Sequence, residues 1–133
     1  MKTRYAIGMA VLVGFGLGAA SHSGLHAQSK APFYLISEID VTDPEPYGKE
    51  FAPRAQASVK ASGARFIAIG GAAGAGAKPV AAVEGTAPKR VTIQVWESRE
   101  AFERWYNSPE YQDALKIGRK YATWRRYLVE GTE

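Results

Sequence analysis

The order of strand-like and helix-like stretches is the feature that most constrains the fold of this chain. Four stretches are short, rich in β-branched and aromatic residues and partly alternating, which is typical of strands. They are residues 33–41, 65–71, 89–97 and 124–131. An amphipathic helix at 43–62 separates the first two, and a helical pair at 98–122 separates the last two. Helical crossovers in these places predict an α+β fold, a ferredoxin-like split βαβ with an antiparallel sheet and helices on one face.

Local signals indicate where the helices begin and where the first one is interrupted. Asp43 precedes Pro44, which is the usual pair of an N-cap residue and a first helical residue. Ser98 and Ser108 are the corresponding caps of the two later helices. Pro53 lies inside the first helical stretch, so we expect it to kink or divide that helix.

The stretch "GAAGAGAKP" at 71–79 resembles a phosphate-binding loop only superficially. Ala77 stands before Lys78, and Pro79 occupies the place of the Ser or Thr that would coordinate magnesium. Its composition predicts a mobile surface loop. The following "VAAVEG", residues 80–85, predicts a short edge strand.

The alternation of the third strand predicts how the sheet uses its two faces. One face carries Val91, Ile93 and Val95, and the other carries Thr92, Gln94 and Trp96. In the first strand, Glu38 points away from Leu35 and Ile39. If those two face the helices, we expect Glu38 on the opposite face with Gln94 and Trp96. That face would carry an apolar patch too large for a solitary monomer, so we predict a homodimer that packs sheet against sheet.

The N-terminal segment has the three-part order of a secretory signal peptide. Lys2 and Arg4 precede an uncharged apolar run at 5–20, and small and polar residues follow it. The run has 16 residues, fewer than the roughly 20 that a membrane span needs. We therefore predict a cleavable signal peptide at 1–27, a flexible linker at 28–32 and a periplasmic or secreted protein without membrane attachment after cleavage.

Cleavage after Ala27 would leave 106 of the 133 residues, with one domain at 33–131. That part contains no His, Cys or Met, which excludes Ser-His-Asp and Cys-His catalysis, zinc sites built on imidazole or thiolate, and haem ligation by these residues. Loss of Lys2 and Arg4 lowers the formal charge from +4 to +2, so no basic surface for nucleic acid is expected. Glu38 and Asp40 in one strand are weak grounds for a metal site, and we predict neither metal nor cofactor.

Several motifs together resemble the domain of unknown function 1330 family over about residues 33–131. They are "IDVTDPEPYGKEFAP", "ASGARFIAIGG", "PKRVTIQVWES", "FERWYNSPEYQDAL" and "YLVEG". The resemblance implies membership of the dimeric α/β barrel superfamily, and it implies no reaction. Family members usually carry an acid followed by Phe in the third strand, where this chain has Gln94, Val95 and Trp96. A general base at that position is therefore not expected here.

Polar side chains near the predicted sheet face form a candidate ligand site. Its members are Glu38, Arg65, Gln94, Trp96 and Arg126. The leading interpretation is a small-molecule binding protein with a cavity between sheet and helices. An alternative is a cofactor-independent oxygenase or isomerase in which Glu38 abstracts a proton, and a further alternative is a structural or interaction protein without ligand. Glu38 could instead pair with Arg126 or Arg90 and order the dimer, and Arg65 could be a surface residue or a gate.

Overall fold

A computed structural model describes residues 30–71 and 78–132. The strands are Phe33–Val41 (β1), Arg65–Gly71 (β2), Arg90–Trp96 (β3) and Ala122–Glu130 (β4). The helices are Pro44–Pro46 (α1), Ala52–Ala61 (α2), Arg99–Tyr106 (α3) and Pro109–Gly118 (α4), and a π-helical turn, Tyr47–Phe51, joins α1 to α2. The four strands and both crossovers predicted from the sequence are confirmed. The edge strand predicted at 80–85 is wrong, because these residues form a loop.

The four strands form one antiparallel sheet in the order β2-β3-β1-β4. The two crossovers bring β1 between β3 and β4, and β2 and β4 are the edges. This is the ferredoxin-like arrangement that the order of elements predicts, with the helices on one face. The predicted signal peptide at 1–27 and most of the predicted loop at 71–79 lie outside the described residues.

The first crossover is divided by the π-helical turn. Pro44 begins α1, but the Asp43 side chain accepts no capping hydrogen bond, unlike the cap that the sequence suggested. Pro53 lies in the first turn of α2, directly after the π-helical turn, where its missing N–H costs no helical hydrogen bond. The turn buries Tyr47 and Phe51 together against the sheet. Single π-helical turns of this kind are frequent at functional sites.

The strand register determines which side chains face the helices. Leu35 pairs with Gln94, and Ser37 pairs with Thr92. Directly paired residues project from the same face of a sheet, so Gln94 lies with Leu35 on the helix face, whereas Glu38 projects from the opposite face. The prediction that Glu38 shares a face with Gln94 and Trp96 is therefore wrong. Trp96 is 1% exposed and packs against α3.

The face of the sheet away from the helices, here the open face, is largely apolar. It carries Tyr34, Ile36, Val91, Ile93, Val95, Tyr127 and Val129. Tyr127 is 42% exposed and Val129 is 45% exposed. The predicted apolar outer face is thus present, but the aliphatic residues of β3 occupy it in place of Trp96.

None of the helices within 30–71 and 78–132 has the length and apolar character that a membrane crossing requires.

Candidate functional site

A cavity of about 30 Å³ lies between the helix face of the sheet and the helices. Its aromatic walls are Tyr47, Phe51, Phe66, Trp105, Tyr111 and Trp124. Its polar groups are Ser37, Arg90, Thr92, Gln94 and Arg126. The exposed residue Gln56 of α2 also lines it, which places an opening towards solvent at that helix.

Close helix packing fixes the aromatic walls. Gly118 of α4 lies so near Phe51 that a Cβ atom on the glycine would come within 2.6 Å of the phenyl ring. The ring of Phe51 stacks edge-on against Trp124 with centroids 5.3 Å apart. Tyr111 packs against Trp105 with centroids 3.8 Å apart. The small residue on α4 thus lets the π-helical turn approach and present Phe51 to the cavity.

Arg90, at the start of β3, is a charged side chain that is 5% exposed. Its Nη1 lies 3.5 Å from the Gly71 carbonyl oxygen, and its Nε is buried without a hydrogen-bond partner. The guanidinium carbon is 5.9 Å from the ring centre of Tyr47. No carboxylate of the described residues forms an ion pair with it. Burial of such a charge is costly unless an anion compensates it.

Arg126, in β4, is the second guanidinium at the cavity. Its Nη1 donates a short hydrogen bond to the Tyr111 hydroxyl, and its guanidinium carbon lies 4.9 Å from the ring centre of Trp124. Its Nε is also buried without a partner. Within 30–71 and 78–132, no Asp or Glu side chain forms an ion pair with Arg126. The cavity is therefore positively charged at two points.

The two cavity tyrosines remain protonated at neutral pH. Burial raises the pKa of Tyr47, and the positive charge of Arg90 opposes this shift only in part. Burial likewise raises the pKa of Tyr111 against the opposing effect of Arg126. Each phenol is therefore a neutral hydrogen-bonding group and a poor base. Among the described residues that line the cavity there is no Asp, Glu or His.

Glu38 lies on the open face, away from this cavity. Its Oε2 accepts from Arg125 Nε at 2.8 Å, and its Oε1 accepts from the Tyr127 hydroxyl at 3.0 Å. These hydrogen bonds, first that from Arg125, lower the pKa of Glu38. One interpretation of the sequence expected Glu38 to form an ion pair, and it does. Its partner is Arg125, so the prediction that it pairs with Arg126 or Arg90 is wrong. The side chains of Glu38 and Arg126 project from opposite faces of the sheet.

The structure brings together two of the five candidate site residues. Gln94 and Arg126 both line the cavity. Trp96 faces the helices too, but its Nε1 donates to Gln94 Oε1 at 3.2 Å and its ring lies outside the cavity lining. Arg65 is exposed and pairs with Val95, which places it with Glu38 on the open face.

The five candidate site residues do not include Arg90, Tyr47 and Tyr111. Strand parity in the sequence already predicts Arg90 on the same face as Gln94, and both residues line the cavity. Tyr47 and Tyr111 each belong to an apolar stripe at helical spacing, a pattern that suggests core packing. Both are buried, and both also line the cavity. Within the described part of the chain, no group of three or more His, Cys, Asp or Glu side chains converges as a metal site would require.

Comparison with solved structures shows which known proteins share this fold. SnoaB, a cofactor-independent oxygenase from Streptomyces nogalater, is 17% identical with a TM-score of 0.55, and the match covers 77% of this chain and 95% of that one. A protein of unknown function from Rhodopseudomonas palustris is 16% identical, with a TM-score of 0.55 over 78% of this chain and 85% of that one. A possible oxidoreductase from Bacteroides thetaiotaomicron is 13% identical, with a TM-score of 0.54 over 76% and 98%.

These identities are low, so the similarity concerns the fold alone, that of dimeric α/β barrel proteins. No functionally curated protein matches the chain. One family model matches residues 32–132, which is nearly all of the described chain. The chain therefore belongs to the family described as a domain of unknown function, DUF1330.

Proposed function

We propose that this protein binds a small organic anion, a carboxylate, in the cavity between sheet and helices. The observation that carries the proposal is the pair of cavity guanidinium groups, Arg90 and Arg126, which have no ion-pair partner among the described residues. A carboxylate would compensate both charges and accept hydrogen bonds from their buried Nε atoms. Neutral Tyr47 and Tyr111 add hydroxyl groups, and the aromatic walls favour an apolar or aromatic ligand body.

The volume of the cavity fits the charged group of such a ligand. The cavity measures about 30 Å³, whereas one water needs roughly 10–15 Å³ of such space. The space therefore takes about two or three water-sized atoms, which is the size of a carboxylate group. The remainder of a ligand has to extend beyond this volume.

An enzyme of the cofactor-independent oxygenase or isomerase type is less well supported. That function needs a group to abstract a proton, and Glu38 is bound to Arg125 and Tyr127 on the other face of the sheet. The raised pKa of Tyr47 and of Tyr111 makes these phenols poor bases at neutral pH. The likeness to SnoaB supplies the fold and no active-site residue. A structural protein without ligand would leave the two cavity arginines uncompensated.

We further propose that the protein is exported and acts as a homodimer that packs through the open face. Export rests on the three-part N-terminal pattern of residues 1–27. The dimer is supported by the exposed Tyr127 and Val129 on the open face and by the fold type of the solved relatives. Sedimentation equilibrium of the chain starting at Gln28 is expected to give twice the chain mass, and a monomer at micromolar concentration would contradict the dimer.

Titration calorimetry with benzoate tests anion binding. Arg90→Gln is expected to weaken benzoate binding by at least about tenfold, because a charge-assisted hydrogen bond contributes roughly 1.5–3 kcal/mol. Arg54→Gln is the matched control, since Arg54 is exposed on α2 and lies outside the cavity lining. Benzamide, the neutral analogue, should bind much more weakly than benzoate. Equal affinities for benzoate and benzamide, or an unchanged affinity in Arg90→Gln, would contradict the proposal.

The fold of Arg90→Gln is expected to survive this change. Because Arg90 has no carboxylate partner among the described residues, its replacement leaves no opposite charge buried alone. Thermal unfolding of the ligand-free variant should therefore occur at or above the wild-type temperature, which separates a loss of binding from a loss of structure.

A further inference from the structure

We infer that the apolar body of the bound anion lies in a second cavity beside β4, and that Arg126 determines specificity by standing between the two cavities. The ligand class that follows is an aromatic carboxylate longer than one ring. This inference rests on the proposed anion binding and extends it to the shape of the ligand.

The second cavity, here the outer cavity, has a volume of about 390 Å³ and lies between α4 and the edge strand β4. Tyr106, Leu115 and Ala122 give it apolar walls, and the exposed Arg119 and Thr123 lie at its rim. Cavities that enclose small organic ligands measure roughly 300–1,000 Å³. The outer cavity is open to solvent and its volume falls in this range, whereas the inner cavity of about 30 Å³ does not.

Two residues, Trp124 and Arg126, line both cavities. On the inner side Arg126 donates to the Tyr111 hydroxyl, and its guanidinium group stacks against the Trp124 ring at 4.9 Å. The side chains of Arg126 and Trp124, here the divider, therefore stand between the two cavities.

The divider also carries donors without acceptors. Arg126 Nε and Trp124 Nε1 are both buried and have no hydrogen-bond partner among the described residues. Buried donors are nearly always paired, so unpaired donors on neighbouring side chains indicate a position for an acceptor. A carboxylate at the divide would accept from Arg126 and Trp124, reach Arg90 across the inner cavity, and leave its apolar body against Leu115 and Tyr106.

The experiment measures the affinity of the full chain for acetate, benzoate and biphenyl-4-carboxylate by calorimetry. Biphenyl-4-carboxylate is expected to bind at least about tenfold more tightly than benzoate, because its second ring buries apolar area in the outer cavity. Arg119→Trp fills the outer cavity from its rim at the end of α4 and should remove this difference. Lys120→Trp is the matched control and should retain it, because Lys120 is exposed and lines neither cavity. An Arg119→Trp variant that leaves the difference intact overturns the inference.

The outcomes separate this inference from the proposed function. If all three carboxylates bind to the wild-type protein with equal affinity, the outer cavity is not used and the inference fails while anion binding stands. If none of them binds, anion binding fails and the inference fails with it. Should Arg119→Trp not fold, Arg119→Phe fills the rim with a smaller ring, and Lys120→Phe is then the matched control.

Discussion

At the scale of single residues, the charges of Arg90 and Arg126 are permanent, because a guanidinium group keeps its proton at any pH that a protein meets. A buried lysine in the same place could release its proton and become neutral. An arginine side chain does not become neutral in this way. Burial of Arg90, which is 5% exposed, therefore requires either polar contacts or an anion. The contacts of Arg90 within the described residues are few, and this is why we propose an anionic ligand for the cavity.

Glu38 gives a pH-dependent prediction at the same scale. Hydrogen bonds from Arg125 and Tyr127 lower its pKa in the folded state. A lowered folded-state pKa contributes stability above the unfolded value of about 4.3, and this contribution is lost as the pH falls through the folded-state pKa. Glu38→Gln should therefore unfold at a lower temperature than the wild-type protein at pH 7, and the two melting temperatures should converge near pH 2.

Thermal unfolding monitored by circular dichroism at the two pH values measures this difference. Glu84→Gln is a suitable control, because Glu84 is exposed in the loop before β3 and forms no ion pair among the described residues. A gap between wild type and Glu38→Gln that stays the same at pH 7 and pH 2 would show that the ion pair with Arg125 does not stabilise the fold.

At the scale of elements, β3 turns its more polar face inward. Val91, Ile93 and Val95 lie on the open face, whereas Arg90 and Gln94 face the helices. Sequence predicted the strand itself to within one residue at each end, because alternation is a local property. It did not predict the face, because the face depends on how β3 registers against β1, and a shift by one residue exchanges the two faces. Polar side chains on the inward face of a sheet depart from the usual pattern, and such departures are expected at functional sites.

The start of α4 gives an element-scale prediction. Ser108 Oγ accepts from the Tyr111 backbone N–H at 3.3 Å and donates to the Trp105 carbonyl at 2.6 Å, so the cap predicted from "NSPEYQD" is confirmed. Ser108→Ala should lower the free energy of unfolding by about 1 kcal/mol, as lost N-caps do. Urea denaturation measures it, and benzoate affinity should not change. A stability loss below about 0.3 kcal/mol would mean that the cap contributes little.

At the scale of the whole molecule, the fold and the site differ in how far the sequence predicts them. The ferredoxin-like sheet followed from the order of elements, since helical crossovers leave few topologies. The cavity combines side chains from all four strands and four helical segments, for example Phe66, Gln94 and Trp105. No local pattern encodes such a combination. Gln94 was included because strand parity predicts its face, and Arg126 because it was an expected partner of Glu38, whereas Tyr47 and Tyr111 resemble ordinary core residues.

A crystal structure of the full chain grown with biphenyl-4-carboxylate tests the central claim of anion binding most directly. We predict that the carboxylate oxygens lie about 3 Å from guanidinium nitrogens of Arg90 and Arg126, with the two rings against Leu115 and Tyr106. A ligand bound away from both arginines would contradict the account. So would an inner cavity closed by an Asp or Glu side chain that pairs with Arg90 or Arg126.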